Sequence, residues 1–227
     1  MQEEVLDASY QHKKNGYKEP AQPNSGRAKA TVILLLAQFG FYFLLFIMNL
    51  VSYFYEESGE YLDNWFYTLL DVLDNLNNLT YIATAVLFLM WFARAYKNVW
   101  RREKTSLNPA WAVWSWFIPV YNLFKPIQLA SEITVKNERI LGDVNSTRKP
   151  KLALWWIFWL LYLITGMDFK STEVEYSTIL VMTITSCVFA MVGCVLAVVF
   201  VKFVSKQEDD IEKMETEQNE LNFDDNL

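Results

Sequence analysis

Histidine occurs once in this chain, as His12, and cysteine twice, as Cys187 and Cys194. With so few Cys and His ligands, a structural zinc centre is excluded, and no metal or other cofactor is expected. The two cysteines are seven residues apart in an apolar run. On a helix they share a face about 10 Å apart, too far for a disulfide within that helix, so they read as small packing residues. G-x-S-x-G, H-E-x-x-H and a phosphate-cradling P-loop are all missing. No catalytic constellation emerges, and the expectation is a protein that is not an enzyme. Acids other than Glu132 fall in loops, tails or surface helices, so no carboxylate pair sits inside a candidate span as a cation-coupled carrier would require. The first 29 residues are polar and hold Gly16, Gly26, Pro20 and Pro23, with no short apolar core of a cleavable signal peptide. No nucleic-acid partner is expected of a chain with net charge -6.

What the chain does have is apolar sequence in long blocks. It is 53% hydrophobic and 16% aromatic, with nine tryptophans among 227 residues. A hydrocarbon core of about 30 Å needs about 20 helical residues. Four runs are expected to cross: 30–55, 78–96, 152–167 and 176–201. The third is short, but Lys151 and Trp155 suit an interface. Between the first two, residues 56–78 carry six acids and no Lys or Arg. Leu62, Trp65, Phe66, Leu69, Leu73 and Leu76 recur there at helical spacing, which predicts an amphipathic helix over 60–76 on the outer surface, or else an extension of the next span. Residues 1–29 read as a disordered tail and 205–227 as an acidic tail, a frayed helix giving way to solvated disorder.

The stretch WAVWSWFIPVYNLFKP, from Trp111 to Pro126, is greasy enough to enter a membrane but is broken by proline. Charge decides where its ends lie. Lys and Arg number five in 1–29, none in 56–78, five in 94–104, six in 125–151, one in 168–175 and three in 202–227. Lys/Arg-rich loops stay cytoplasmic. Nineteen of the twenty bases fall on one side only if the stretch returns to the side it came from. The expected architecture is therefore all-α: a polytopic membrane protein with a membrane domain over 30–204 and four transmembrane helices. A Trp/Pro-rich hairpin over 108–139, either re-entrant or interfacial, stands between spans two and three, and both termini are cytoplasmic. Asn108 and Pro109 mark a helix start. A helix to about Ile118 would rise about 15 Å before Pro119 stops it. A second helix opens at Pro126 and ends near Arg139, with Leu129, Ala130, Ile133 and Ile140 as its apolar face.

Asn122, Lys125, Gln128 and Glu132 recur every three or four residues and could form one polar stripe near Arg94. That stripe reads either as a pocket for a headgroup, an ion or a small anion, or as hairpin glue in which Asn122 caps freed backbone groups and Glu132 pairs with Lys136 or Arg94. Gln38, Asn49, Thr80, Tyr81 and Thr84 suit hydrogen bonds between spans. Ser186, Ala190 and Cys194, joined by Gly193 and Ala197, form a small-residue face for helix packing, within the chain or against a second subunit.

The run W-x-W-F-I-P-V-Y-N-L-F-K-P-I-Q from Trp114 onward, followed by Glu132, resembles the hallmark of a bacterial multi-pass membrane family, the domain of unknown function 4328 family. The aromatic-basic helix end WFARAYKNVWRR and the tryptophan-rich LWWIFWLL extend the resemblance over roughly residues 79–200. It implies Trp116, Phe117, Ile118, Pro119, Asn122, Pro126 and Gln128 as signature positions and a bacterial cytoplasmic membrane. Ile127 stands where the family often has an aromatic residue. The resemblance brings no activity. Three roles remain open. One is a non-enzymatic scaffold or interaction module, with a membrane protein or a second copy as partner. Another is a small-solute or ion transporter gated by the hairpin. The third is a protein binding anionic lipids through Arg94, Arg101, Arg102 and Lys125.

Overall fold

A computed structural model describes residues 21–59, 61–142, 151–166 and 175–224. The N-terminal tail over 1–20, the basic loop over 143–150 and most of the acidic loop over 168–175 lie outside the described residues. Among the described residues all regular structure is helical. In chain order the helices are α1 (Ser25–Ser58), α2 (Asn64–Arg102), α3 (Trp111–Trp114), α4 (Pro119–Asn122), α5 (Lys125–Leu141), α6 (Leu152–Thr165) and α7 (Tyr176–Asp224).

Helices α1, α2 and α7 are long and apolar enough to cross a membrane. Their surfaces are those of a protein dissolved in lipid. On α1 the buried side carries Thr31, Gln38, Asn49 and Ser52, while the outward side carries Ile33, Leu36, Phe43 and Phe54. Gln38 is 2% exposed and Ile33 65%. Water would demand the reverse; lipid rewards it, because polar groups then find partners inside the bundle. Gln38 Nε2 donates to Asn77 Oδ1 and joins α1 to α2. Of the other expected inter-span groups, Tyr81 reaches Trp159 and Tyr162 of α6, while three turn back on their own helices. Asn49 donates to the Leu45 carbonyl, Thr80 to Leu76 and Thr84 to Thr80.

The bundle is an open arc. α2 packs on α1, α1 on α7, and α7 on α6. No extended helix-on-helix contact closes α6 back onto α2. Rings bridge that seam instead: Tyr81 and Tyr162 at 6.2 Å between centroids, and Phe88 and Trp155 at 5.7 Å. The order of these pairs makes α6 antiparallel to α2.

Three sequence expectations change. The acidic amphipathic stretch takes the second of its two expected forms, an extension of the next span rather than a separate surface helix, since α2 is one helix of 39 residues from Asn64. Between α1 and α2, Gly59 supplies the left-handed turn at φ 72° that ends α1. Of the four expected spans, three reach full length; α6 has 14 residues, about 21 Å of rise. The acidic tail is helical to Asp224, continuous with α7. Periodic apolar content is too sparse there to predict it; specific polar contacts hold it. Glu208 is 8% exposed and accepts from Asn98 Nδ2 at 2.9 Å and Asn24 Nδ2 at 3.0 Å. Asn98 also brackets the Gln22 backbone, accepting from its N–H at 3.0 Å and donating to its carbonyl at 2.9 Å. Two turns on, the Arg102 guanidinium grips both oxygens of Glu215 at 2.8 and 3.0 Å. The stretch before α1, the end of α2 and the extension of α7 thus form one junction.

Burial holds the Glu208 carboxyl above its ordinary range, against the lowering effect of Asn98, Asn24 and Arg102. A raised folded value means the native state holds the proton more tightly. This contribution is complete below the usual carboxylate range near pH ~4.3 and is lost as pH rises through the raised value. Hydrogen exchange of residues 206–216, corrected for intrinsic rates, should therefore slow as pH falls from neutral toward 5, and Glu208→Gln should remove that pH dependence. Glu208→Ala should destabilise the junction by about 1–3 kcal/mol, the cost of stranding two buried donors.

Candidate functional site

Pro119 dictates the local structure of the Trp-Pro segment. A residue before proline is driven out of the helical region, and Ile118 is extended at φ -91°, ψ 114°. The expected helix from Pro109 to Ile118 shortens to the single turn of α3, which Ala110 precedes with no side-chain cap; Asn108 instead braces the turn before it, its Oδ1 accepting from Ala110 N–H at 3.0 Å. Tight turns follow, with Trp116 N–H donating to Val113 and Phe117 N–H to Trp114. One more turn, α4, leads to α5, where Pro126 fits the first turn. Along α5, Leu129, Ala130 and Ile133 are buried as expected and Ile140 is half-buried. Gly142, at φ 72°, ends it.

Both ends of the hairpin are clasped together. Glu132 accepts from Ser106 N–H at 2.7 Å, Ser106 Oγ at 2.5 Å and Tyr96 Oη at 3.0 Å, with Lys136 at 3.5 Å. Beyond the clasp, Lys136 and Arg139 both reach Glu103. Between its ends the chain runs along α2 as far as Phe88, eight residues or about 12 Å from Tyr96. There Trp116 sits edge-on among four rings: Phe88 at 5.7 Å, Phe92 at 6.0 Å, Trp156 at 5.7 Å and Trp159 at 5.9 Å. A break in a helix frees carbonyls that lipid cannot satisfy. Trp156 Nε1 donates to the Leu123 carbonyl at 2.8 Å and supplies that need. Sequence reasoning assigned this capping to Asn122.

The other sequence candidates disperse. Lys125 donates to Gln128 at 3.0 Å, with Gln128 exposed; Asn122 faces the interior, and Glu132 belongs to the clasp. The proposed single polar stripe is therefore not assembled. Trp114, Phe117 and Pro119 are exposed, Ile118 is half-buried and Pro126 is buried. Arg94 is half-buried beside Arg27 and Arg101, and Glu132 takes Lys136 as its cation. Arg102 is committed to Glu215.

Above Trp116 the open seam encloses a cavity of about 440 Å³. α1 gives it Gln38 and Tyr42, α2 gives Thr84 and Phe88, and α6 gives Trp159 and Tyr162. The small-residue face of α7 behaves in two ways. Ser186, Ala190, Cys194 and Ala197 are buried, and Ala190 and Cys194 cluster with Tyr42 and Leu45 of α1. Gly193 meets open space, since a Cβ there would find nothing within 4 Å. Among the described residues no charged side chain lines the cavity. The Tyr42 hydroxyl bonds that of Tyr162 at 2.9 Å across the cavity at the level of Tyr81. The sequence signals for it were available, the small stripe and the tyrosines, but only their convergence makes a cavity.

Burial raises the Glu132 carboxyl, and the two Ser106 bonds, Tyr96 and Lys136 outweigh it, so the net shift is downward. A depressed value gives stability that is present above the usual range near ~4.3 and lost as pH falls through the folded value. Glu132→Ala should cost about 1–3 kcal/mol and make Lys104 and Ser106 amides exchange faster, while acid alone should reproduce that opening in the unmutated protein. Trp116→Ala should cost about 3 kcal/mol, the low end for a tryptophan because the ring is half-buried, measured by thermal unfolding in detergent.

No curated protein and no solved structure matches the chain. The family described as Domain of unknown function (DUF4328) matches it over residues 63–209, from the start of α2 through the first docked turn of α7, reaching further at both ends than the signature motifs do. That match covers most of the chain, the hairpin, the clasp and three of the four helices around the cavity, and the chain belongs to this family.

Proposed function

We propose that the protein is a non-enzymatic interaction module of the bacterial cytoplasmic membrane, with four crossings, a re-entrant Trp-Pro hairpin and both termini in the cytoplasm. The observation that carries this reading is the Glu132 clasp. It holds the two ends of the hairpin side by side, next to the basic end of α2 at Arg101 and Arg102. Bases at that end and acids around Glu56 and Asp63 follow the positive-inside rule. The hairpin tip presents Trp114, Phe117, Val120 and Leu123 outward, an apolar face suited to lipid. α6 counts as the third crossing because it runs antiparallel to α2, from Trp155 beside Phe88 to Tyr162 beside Tyr81. A helix of about 21 Å is accommodated by local thinning of the bilayer.

The cytoplasmic face supplies the means of interaction. α7 continues from Val201 to Asp224, about 35 Å of helix, and the junction at Glu208 and Glu215 fixes its direction. Exposed Glu212, Glu217 and Glu220 give it an acidic flank for a basic partner or a second copy. A solute path finds less support: the cavity wall offers rings and methyls where ions need charge or water, and Trp116 occupies the hairpin end.

Cysteine accessibility on a background lacking Cys187 and Cys194 tests the topology. Lys104→Cys and Arg139→Cys should react with an impermeant reagent only from the cytoplasmic side, and Tyr61→Cys only from outside. Outside labelling of Arg139→Cys would overturn the re-entrant hairpin. In mild detergent, a reproducible homo-oligomer or bound partner is expected, and a strictly solitary monomer would remove the interaction reading.

A further inference from the structure

The cavity between α2 and α6 raises a question that the hairpin does not answer: what fills it. Its volume of about 440 Å³ lies within the ~300–1,000 Å³ of small-molecule sites. Left empty, its lining rings would lack dispersion partners on one side. Water is a poor occupant, since each trapped molecule needs about two to four polar partners and the wall is dominated by apolar groups. The bundle also leaves a way in. α2 and α6 are bridged by Tyr81 with Tyr162 at one level and by Phe88 with Trp155 at another. Between these levels, about 10 Å apart along α2, the cavity wall carries Thr84, Ala85 and Trp159, and Phe117 of the same wall is 62% exposed.

We infer that this cavity is a binding site for a neutral, hydroxyl-bearing lipid that enters from the bilayer through the seam between α2 and α6. The inference rests on the membrane placement proposed above. Neutrality follows from the wall, which among the described residues has no Asp, Glu, Lys, Arg or His to balance a buried charge. The hydroxyl follows from three lining side chains. Among the described residues Trp116 Nε1 is a donor without a partner, and Gln38 Oε1 and Asn122 Oδ1 are acceptors without one. A hydroxyl both donates and accepts, so one group can serve both kinds. The apolar chain then lies along Phe88, Ala190 and Gly193, where α7 gives up side-chain volume.

Photolabelling of the full chain in nanodiscs with a diazirine-bearing long-chain alcohol tests this. The label should map to residues 81–89 and 189–197, and excess unlabelled alcohol should compete it away. Gly193→Leu should lower labelling by about tenfold or more, because its side chain occupies the space the ligand needs. The fold tolerates it: the added Cβ meets nothing within 4 Å, and leucine is the better helix former. Ala85→Leu, from the facing wall, is the second variant and should act in the same direction. Labelling confined to the outward residues Val86 and Val195, or unchanged in both variants, would overturn the site. Equal labelling by a diazirine phosphatidylglycerol would overturn neutrality, and equal labelling by a diazirine alkane would overturn the hydroxyl. The label reports the cavity rather than sidedness, so it remains readable even if the cysteine map rejects the re-entrant hairpin.

Discussion

Trp116 stands where the helix arc would otherwise be open. α2 and α6 do not pack on each other along their lengths, so one ring lodged among Phe88, Phe92, Trp156 and Trp159 ties the two flanks together. Lipid tails are as apolar as the side chains they would replace, so helices in a bilayer associate through packing and polar contacts, with no hydrophobic drive between them. Placing Trp116 there obliges the chain to leave the end of α2, run back beside it and return. That path needs breaks, which Pro119 and Pro126 supply; the Leu123 carbonyl, left free just before Pro126, is satisfied by Trp156; and the loop ends need fastening, which Glu132 provides.

Two carboxylates hold the basic end of α2 by opposite means. Glu132 sits where donors outweigh burial, so its charge is what binds Ser106 and Tyr96. Glu208 sits deeper, where burial outweighs the amides of Asn24 and Asn98. One fastens the hairpin to α2 and the other fastens the extension of α7 to the same helix. Their opposite responses to pH let the two joints be separated experimentally although both converge on α2.

The family match begins at residue 63 and so leaves α1 outside it. Yet α1 makes the broadest contact with α7 and contributes Gln38 and Tyr42 to the cavity. In this chain the cavity is thus a joint product of the matched region and the helix before it.

Much of this was legible in residue order. Uncharged runs located the long helices because a bilayer leaves a helix no alternative to being apolar over its width. Prolines 109, 119 and 126 marked the hairpin because their backbone restrictions are local. The skew of lysine and arginine bore on sidedness in the same local way. Partners were another matter. The separate outer helix gave way to a continuous α2 because nothing between Asn64 and Asn77 breaks a helix, whatever its polarity. The acidic tail looked solvated because its contacts, Asn98 and Arg102, lie more than a hundred residues away. The small residues of α7 looked like a close-packing face, and whether Gly193 meets a helix or a void depends on where α6 stops approaching α2. Sequence by itself set the apolar helices, the break at Pro119 and the charge asymmetry, all of which act within a few residues. Only the tertiary structure decided the clasp, the docked tail and the cavity, because each depends on the distance between groups far apart along the chain.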